Sequence, residues 1–133
     1  MRKIQSHFFF CLMLLSISFN SSCQNSNDSV KNISADSLNS MLKNSDAIIL
    51  DVRTPQEFAE GHIPGAININ FHDPGFEAAL DTLNKEKQYE VYCRSGNRSG
   101  KSIDLMTKKG FKRIHHLKGG MLEWEEKGFD LVK

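Results

Sequence analysis

The chain has 133 residues, a length that allows one domain with a single modest hydrophobic core. Its formal net charge is +1, which argues against a nucleic-acid-binding surface and against a polyacidic tail. Composition therefore indicates a small folded domain and excludes these two classes of partner-binding segment.

The first 22 residues are predicted to be an export signal. Arg2 and Lys3 precede FFFCLMLLSISF, an apolar run over residues 8–19. This run has the length of a signal-peptide core and is too short to span a bilayer comfortably as a permanent helix. We therefore expect residues 1–22 to be absent from the mature, exported protein.

The signal is followed by a cysteine in a setting of small and polar residues. The stretch NSSC over residues 20–23 resembles the lipobox of bacterial lipoproteins, with Asn20 where an aliphatic residue is usual. The resemblance implies a lipid on Cys23 that anchors the protein at the periplasmic face of a membrane. Cleavage without lipidation, which would give a soluble periplasmic or secreted protein, stays open. The polar composition of residues 23–33 predicts a tether.

The folded domain is predicted to occupy residues 34–133, where helical and strand patterns alternate. Helices are predicted in SADSLNSMLKN, in the segment that begins TPQE, in PGFEAALDTLN, in SGKSIDLMTKKG and in GGMLEWEEKG, with Ser34 and Thr54 as N-caps. Strands are predicted in AIILDV, AININ, YEVYC and RIHHL. This alternation predicts an α/β domain with a mainly parallel sheet of about five strands and helices on both faces.

Cys93 ends the strand YEVYC and is followed at once by the loop RSGNRS, residues 94–99. In open α/β sheets, ligands bind where a strand ends and the next helix begins. Loop amides and the helix start favour an anion there, and they also favour the thiolate, the nucleophilic form of cysteine. Arg94 and Arg98 add positive charge suited to an oxyanion. The alternative is a buried structural cysteine before an ordinary turn, and we favour the reactive thiolate.

The spacing of the loop separates two classes of enzyme. Cysteine-dependent tyrosine phosphatases carry an arginine six positions after the cysteine, whereas Ser99 stands at that position here and Arg98 is one position too early. Three segments instead resemble the rhodanese family, and they occur in the family's order. These segments are DVRTPQEFAEGHIPGAINI, CRSGNRS and LKGGMLEWEEKGF, which begin at residues 51, 93 and 117.

This resemblance implies a rhodanese-like fold and the activity of a thiosulfate sulfurtransferase. The Cys93 thiolate would attack the outer sulfur of an anionic donor such as thiosulfate, release sulfite and hold the sulfur as a persulfide. A thiol or cyanide would then remove it, and a partner protein is a further candidate acceptor. No cofactor is expected. The loop residues that would bind the substrate are Arg94, Ser95, Gly96, Asn97, Arg98 and Ser99.

Three alternative functions stay open. The first is a non-catalytic module that binds a persulfide or an anion and docks on a partner protein. The second is a phosphatase, which the short loop disfavours. The third is an oxyanion reductase that uses the same loop, although the mature chain would have no resolving cysteine, because Cys23 would carry the lipid and Cys93 is the nucleophile itself.

Other charged and metal-binding residue types are interpreted as structural. Asp51 and Arg53 lie at the tip of a predicted strand, at the same sheet edge as the cysteine, and we expect an ion pair between them, with Glu57 as a further partner. Substrate binding by the pair stays open. His115 and His116 are consecutive in a strand, so their side chains point to opposite faces and cannot easily chelate one metal. No Cys/His cluster with zinc spacing is present in the sequence, so no metal site is predicted.

Overall fold

The structure is a computed structural model that describes residues 29–133. The predicted signal and Cys23 lie outside the described residues. Within residues 29–133 the chain forms five strands and five helices that alternate along the sequence. No helix in this part of the chain is both long and apolar enough to cross a membrane.

All five strands form one parallel sheet with the spatial order β1-β5-β4-β2-β3. The strands are β1 Val30–Ile33, β2 Ile48–Asp51, β3 Ile67–Asn68, β4 Gln88–Tyr92 and β5 Arg113–Leu117. Because parallel strands share one direction, β2, β4 and β5 end at the same edge of the sheet. The α/β architecture and the parallel sheet are thus confirmed, while β3 is shorter than the predicted strand over residues 66–70.

Five helices connect the strands. They are α1 Ala35–Met41, α2 Pro55–Glu60, α3 Phe76–Asp81, α4 Asn97–Lys108 and α5 Gly120–Glu126. Both predicted N-caps are confirmed, since Ser34 accepts a hydrogen bond from the amide of Ser37 and Thr54 forms a capping box with Glu57. Such caps satisfy amides that would otherwise lack partners at a helix start.

The helices cover both faces of the sheet, and each face has its own core. On one face α3 and α4 contribute Phe76, Leu80, Ile103 and Met106. On the other face α1 and α5 contribute Ala35, Leu38, Met121 and Trp124. Burial on both faces explains why the central strands are nearly continuous apolar runs in the sequence.

Strand β1 corrects one predicted boundary, because the tether was predicted to extend to residue 33. Residues 30–33 instead form an edge strand that pairs with β5 over residues 114–117. Val30 packs against the α3/α4 core and Ile33 against the α1/α5 core, while Lys31 and Asn32 are exposed. Four residues with two exposed polar side chains have no pattern that distinguishes a strand from a linker.

Candidate active site

Cys93 lies directly after β4, at the edge of the sheet where the parallel strands end. The residue is almost fully buried, with 1% exposure. Its Sγ accepts a hydrogen bond from the Gly96 amide at 3.1 Å and lies 3.3 Å from the Ser99 Oγ. Residues 94–99, of which the last three form the start of α4, therefore enclose the sulfur.

The surroundings of the sulfur favour its ionised form. Burial raises the pKa of the Cys93 thiol, but hydrogen bonds from the Ser99 hydroxyl and from the amides of Ser99, Ser95 and Gly96 outweigh burial. The pKa consequently lies below its ordinary value. Donors that point at a sulfur stabilise the thiolate, which is the nucleophilic form.

Gly96 gives the loop its shape. Its φ of +95° lies in the left-handed region, where residues with a side chain are strained. A Cβ at this position would also collide with the carbonyl oxygen of Lys118. Gly96 is the N-cap of α4 and provides no side-chain cap, so the amides at the helix start stay directed towards the sulfur.

The first turn of α5 is hydrogen-bonded to the backbone of Cys93 and of the residue that follows it. The amides of Met121 and Leu122 donate hydrogen bonds to the carbonyl oxygens of Cys93 and Arg94, at 2.9 and 3.1 Å. A Cβ on Gly120 would lie 2.5 Å from both of these oxygens, so only glycine allows this approach. The segment LKGG was recognised in the sequence, but its contact with the loop was not predicted.

Arg98 has a partner that was not predicted for it. Its guanidinium donates two hydrogen bonds to the Glu57 carboxylate, at 2.7 and 2.8 Å. The Arg98 hydrogen bonds, supported by Thr54 and opposed by burial, lower the pKa of Glu57 to about 2. Glu57 was expected beside Asp51 and Arg53, and the structure joins it to the loop instead.

The remaining loop side chains face solvent. Arg94, Ser95 and Asn97 are exposed. Within residues 29–133 the side chain of Arg94 forms no ion pair, so its charge is not neutralised by any residue in the described range. Arg94 and Arg98 are arginines of the same motif, but they differ in their electrostatic role, because only Arg98 is paired with a carboxylate.

Asp51 and Arg53 form the predicted ion pair and are buried. The shortest distance between their charged atoms is 2.7 Å, and the Arg53 guanidinium also donates to the Gly61 carbonyl at 2.8 Å. The guanidinium lies 5.7 Å from the centre of the Tyr92 ring. Both charged groups are thus paired within the protein, which supports a structural role for them at this edge of the sheet.

His116 is a site residue that was not predicted. The Nε2 atom of His116 lies 2.8 Å from the Ser99 Oγ, and the residue is buried on β5 beneath the start of α4. Burial and the nearby Lys118 charge lower the pKa of His116, while a hydrogen bond with the Gly96 backbone raises it, and the net direction is downward. Strand alternation was recognised correctly, but the pairing of strands that brings His116 below Ser99 has no local signal.

His115 points to the opposite face and contacts Glu90 at 3.0 Å, as alternation predicts. Across residues 29–133 no three His, Cys, Asp or Glu side chains are grouped in a way that could hold a metal ion.

The rhodanese-like domain family matches residues 34–127 of this chain. A sulfurtransferase of Allochromatium vinosum is 32% identical over 104 residues, which cover 77% of this chain and 95% of that protein. The crystal structure of a rhodanese-related protein from Thermoplasma volcanium superposes with a TM-score of 0.68 at 30% identity, over 77% of this chain and 97% of that one. The chain belongs to the rhodanese-like family.

Similarity extends to a longer relative with a different name. The tRNA uridine(34) hydroxylase of Yersinia pestis is 33% identical over 100 residues, which cover 71% of this chain and 28% of that protein. The similar region is thus only a part of that longer protein.

Proposed function

We propose that this rhodanese-like protein is a sulfurtransferase that moves a sulfane sulfur from an anionic donor such as thiosulfate to a thiol or to cyanide. The observation that carries the proposal is the buried Cys93 sulfur, on which amides and a hydroxyl of residues 94–99 converge. The name of the Allochromatium vinosum relative, which matches nearly over its full length, supports the same reaction class.

The reaction has two displacement steps. In the first, the Cys93 thiolate forms a bond to the outer sulfur of thiosulfate, the sulfur–sulfur bond of the donor breaks, and sulfite leaves with the electron pair. In the second, the acceptor, a thiolate or cyanide, attacks the outer sulfur of the Cys93 persulfide, and Cys93 leaves as a thiolate. Each step moves a neutral sulfur atom between two nucleophiles, so no external oxidant or reductant is required.

The loop residues have distinct roles in this scheme. The amides of Ser95, Gly96 and Ser99 would stabilise negative charge on the thiolate and then on the persulfide. Arg94 would attract the anionic donor, because its charge is exposed and it has no ion-pair partner within residues 29–133. Arg98 would mainly hold the loop in place through Glu57.

Replacement of the nucleophile tests the proposal. The Cys93→Ser variant is expected to keep the fold and to lose thiocyanate formation from thiosulfate and cyanide, since a serine hydroxyl is a far poorer nucleophile at neutral pH. In parallel, mass spectrometry of the wild-type protein after incubation with thiosulfate should show one additional sulfur on the Cys93 peptide, and cyanide should remove it. Wild-type rates in the variant would refute the mechanism. A stable persulfide with no turnover for any donor or acceptor would favour the binding module.

We also propose that the protein is exported and anchored to a membrane through a lipid on Cys23. The support is the sequence of residues 1–23 alone, with its basic start, apolar core and lipobox-like end. Mass spectrometry of the N-terminal peptide of the protein isolated from membranes tests both export and lipid attachment. A diacylated peptide that begins at Cys23 would support the anchor, and an unmodified N-terminus at Met1 would contradict export.

A further inference from the structure

Three buried side chains are linked by two successive polar contacts that lead from the nucleophile into the core. Cys93 Sγ lies 3.3 Å from Ser99 Oγ, and Ser99 Oγ lies 2.8 Å from His116 Nε2. The three residues are 1%, 0% and 9% exposed. His116 is thus a buried titratable group, connected to the sulfur through one hydroxyl, that has no role in the two displacement steps.

The Ser99 hydroxyl has one proton and stands between two groups that can each accept it. If the hydroxyl donates to an unprotonated His116 Nε2, only its lone pairs face Cys93, and the sulfur must then be a thiol that donates. We assign the proton of the neutral ring to Nδ1, so that Nε2 carries a proton only in the imidazolium. That proton is then donated to Ser99, and the hydroxyl can donate to a thiolate. The protonation of His116 and the ionisation of Cys93 are therefore coupled.

We propose that His116 is a positioning residue that accepts the Cys93 thiol proton through Ser99. The S–H bond of Cys93 breaks as its proton moves to Ser99 Oγ, and the original hydroxyl proton of Ser99 moves to His116 Nε2. A neutral pair becomes a thiolate and an imidazolium, with no change in total charge and no further reactant. The inference rests on the proposed role of Cys93 as a nucleophile.

The charges around this contact make the imidazolium depend on the thiolate. Burial and Lys118, which lies in the turn after β5, lower the pKa of His116, so the neutral ring is available as a proton acceptor. The neighbouring strand β1 places the uncharged Asn32 opposite His116. Of the other charged groups at this edge, Arg98 is paired with Glu57 and Arg53 with Asp51, whereas Arg94 and Lys118 have no ion-pair partner within residues 29–133. Formation of the thiolate is then the event that stabilises a protonated His116.

The pH dependence of alkylation provides a readout of this coupling that does not require sulfur transfer. The full-length protein is treated with iodoacetamide between pH 5 and pH 10, and modification of the Cys93 peptide is followed by mass spectrometry. In the wild type, two coupled groups should give two steps, separated by a pH range in which the thiolate–imidazolium form reacts at a constant rate. In His116→Gln the profile should be a single step, with an alkylation rate at pH 7 lower by roughly tenfold, equivalent to about one pKa unit.

Glutamine can still form a hydrogen bond with Ser99 but cannot take up a proton, so it separates proton acceptance from simple positioning of the hydroxyl. Ser99→Ala interrupts the contact while His116 remains, and it should give the same single step. His115→Gln is the matched control on the opposite face of β5 and should keep both steps.

Two steps in His116→Gln or in Ser99→Ala would overturn the proposal, and so would one step in the wild type. Thiocyanate formation, measured on the same samples, distinguishes the two hypotheses. If transfer from thiosulfate is intact while alkylation of His116→Gln equals the wild type, only the role of His116 fails. If the wild type shows two steps and no transfer with any donor, only the proposed function fails.

Discussion

Arg94 and Arg98 stand four positions apart, the first in the turn after Cys93 and the second in the first turn of α4, yet only Arg98 has an ion-pair partner within residues 29–133. A cation that is paired with a carboxylate has little net charge to offer a ligand, whereas an exposed, unpaired cation retains its field. The donor selectivity of the site should therefore depend mainly on Arg94, and the geometry of the loop mainly on Arg98.

Substitution of each arginine tests this division. Arg94→Ala should reduce kcat/KM for thiosulfate about 10- to 100-fold, equivalent to the loss of one charge-assisted contact, with a smaller effect on an uncharged sulfur donor. Arg98→Ala should reduce kcat/KM for both donors to a similar extent and also lower the free energy of unfolding, because Glu57 loses its partner. Steady-state kinetics with the two donors measures the contrast. Equal effects of Arg94→Ala on the two donors would show that Arg94 only shapes the loop.

Gly120 is the residue that allows α5 to approach the cysteine. In Gly120→Ala the new Cβ would lie 2.5 Å from the carbonyl oxygens of Cys93 and Arg94, and the φ of +61° would be strained as well. We expect the free energy of unfolding to fall by about 2–4 kcal/mol. We also expect sulfurtransfer activity to fall under conditions in which the variant is still folded, because the displaced carbonyl groups belong to the active-site segment. Urea unfolding and the thiocyanate assay measure the two effects.

Gly128→Ala is the matched control for this prediction. Gly128 has a φ of +69°, but a Cβ there would meet no atom within 4 Å. This variant isolates the cost of the left-handed backbone, about 1 kcal/mol, and activity should be retained. If both variants lose the same stability and keep activity, the close approach of α5 is not important for the site.

At the scale of elements, the Glu57–Arg98 pair connects α2 to α4. The partners are 41 positions apart, and Glu57 also completes the capping box of α2. One carboxylate thus satisfies a helix start and orients the loop around Cys93. The position of the active-site loop consequently depends on the helix that follows β2.

The pair makes stability depend on pH in a defined range. The pKa of Glu57 falls from its ordinary value of 4.5 to about 2 in the folded protein, chiefly through Arg98. A carboxylate with a lowered pKa contributes stability that is complete above pH 4.5 and is lost as the pH falls towards 2. In Glu57→Gln, whose side chain can still complete the capping box, the free energy of unfolding should be lower by about 1–2 kcal/mol at pH 7. Urea titrations at several pH values should show this difference shrinking below pH 4.5.

Glu60→Gln is the control, because Glu60 is exposed on the same helix and should leave both stability and its pH dependence unchanged. A difference between wild type and Glu57→Gln that stays constant down to pH 2 would exclude the ionised carboxylate as its cause.

At the scale of the whole molecule, the sheet extends beyond the region matched by the family, which begins at residue 34. Residues 30–33 add an edge strand, and Val30 and Ile33 each pack against one of the two cores. The edge strand therefore joins both hydrophobic layers to the part of the chain that leads towards Cys23.

Truncation measures the contribution of β1. A chain that begins at residue 34 should have a free energy of unfolding about 2–3 kcal/mol lower than a chain that begins at residue 29, because two half-buried aliphatic side chains and a set of strand hydrogen bonds are removed. Urea unfolding of the two chains gives the difference. If residues 29–33 were only a tether, the two chains would have equal free energies of unfolding.

The sequence by itself determined the features that depend on neighbouring residues. Helix and strand periodicity predicted the α/β class, cap residues predicted the starts of α1 and α2, and the order of three motifs predicted the family. The position of Cys93 after a strand and before a helix also follows from local pattern, because strand end, loop and helix start are consecutive in the chain.

Tertiary structure alone decided which distant residues meet at the site. Ser99 and His116 are 17 positions apart, and α5 reaches the cysteine from a separate segment of the chain. The pairing of β1 with β5, the salt bridge of Glu57 with Arg98 and the placement of His116 below Ser99 all depend on how strands are ordered in the sheet. That order minimises exposed apolar surface over the whole molecule, and no single segment contains this information.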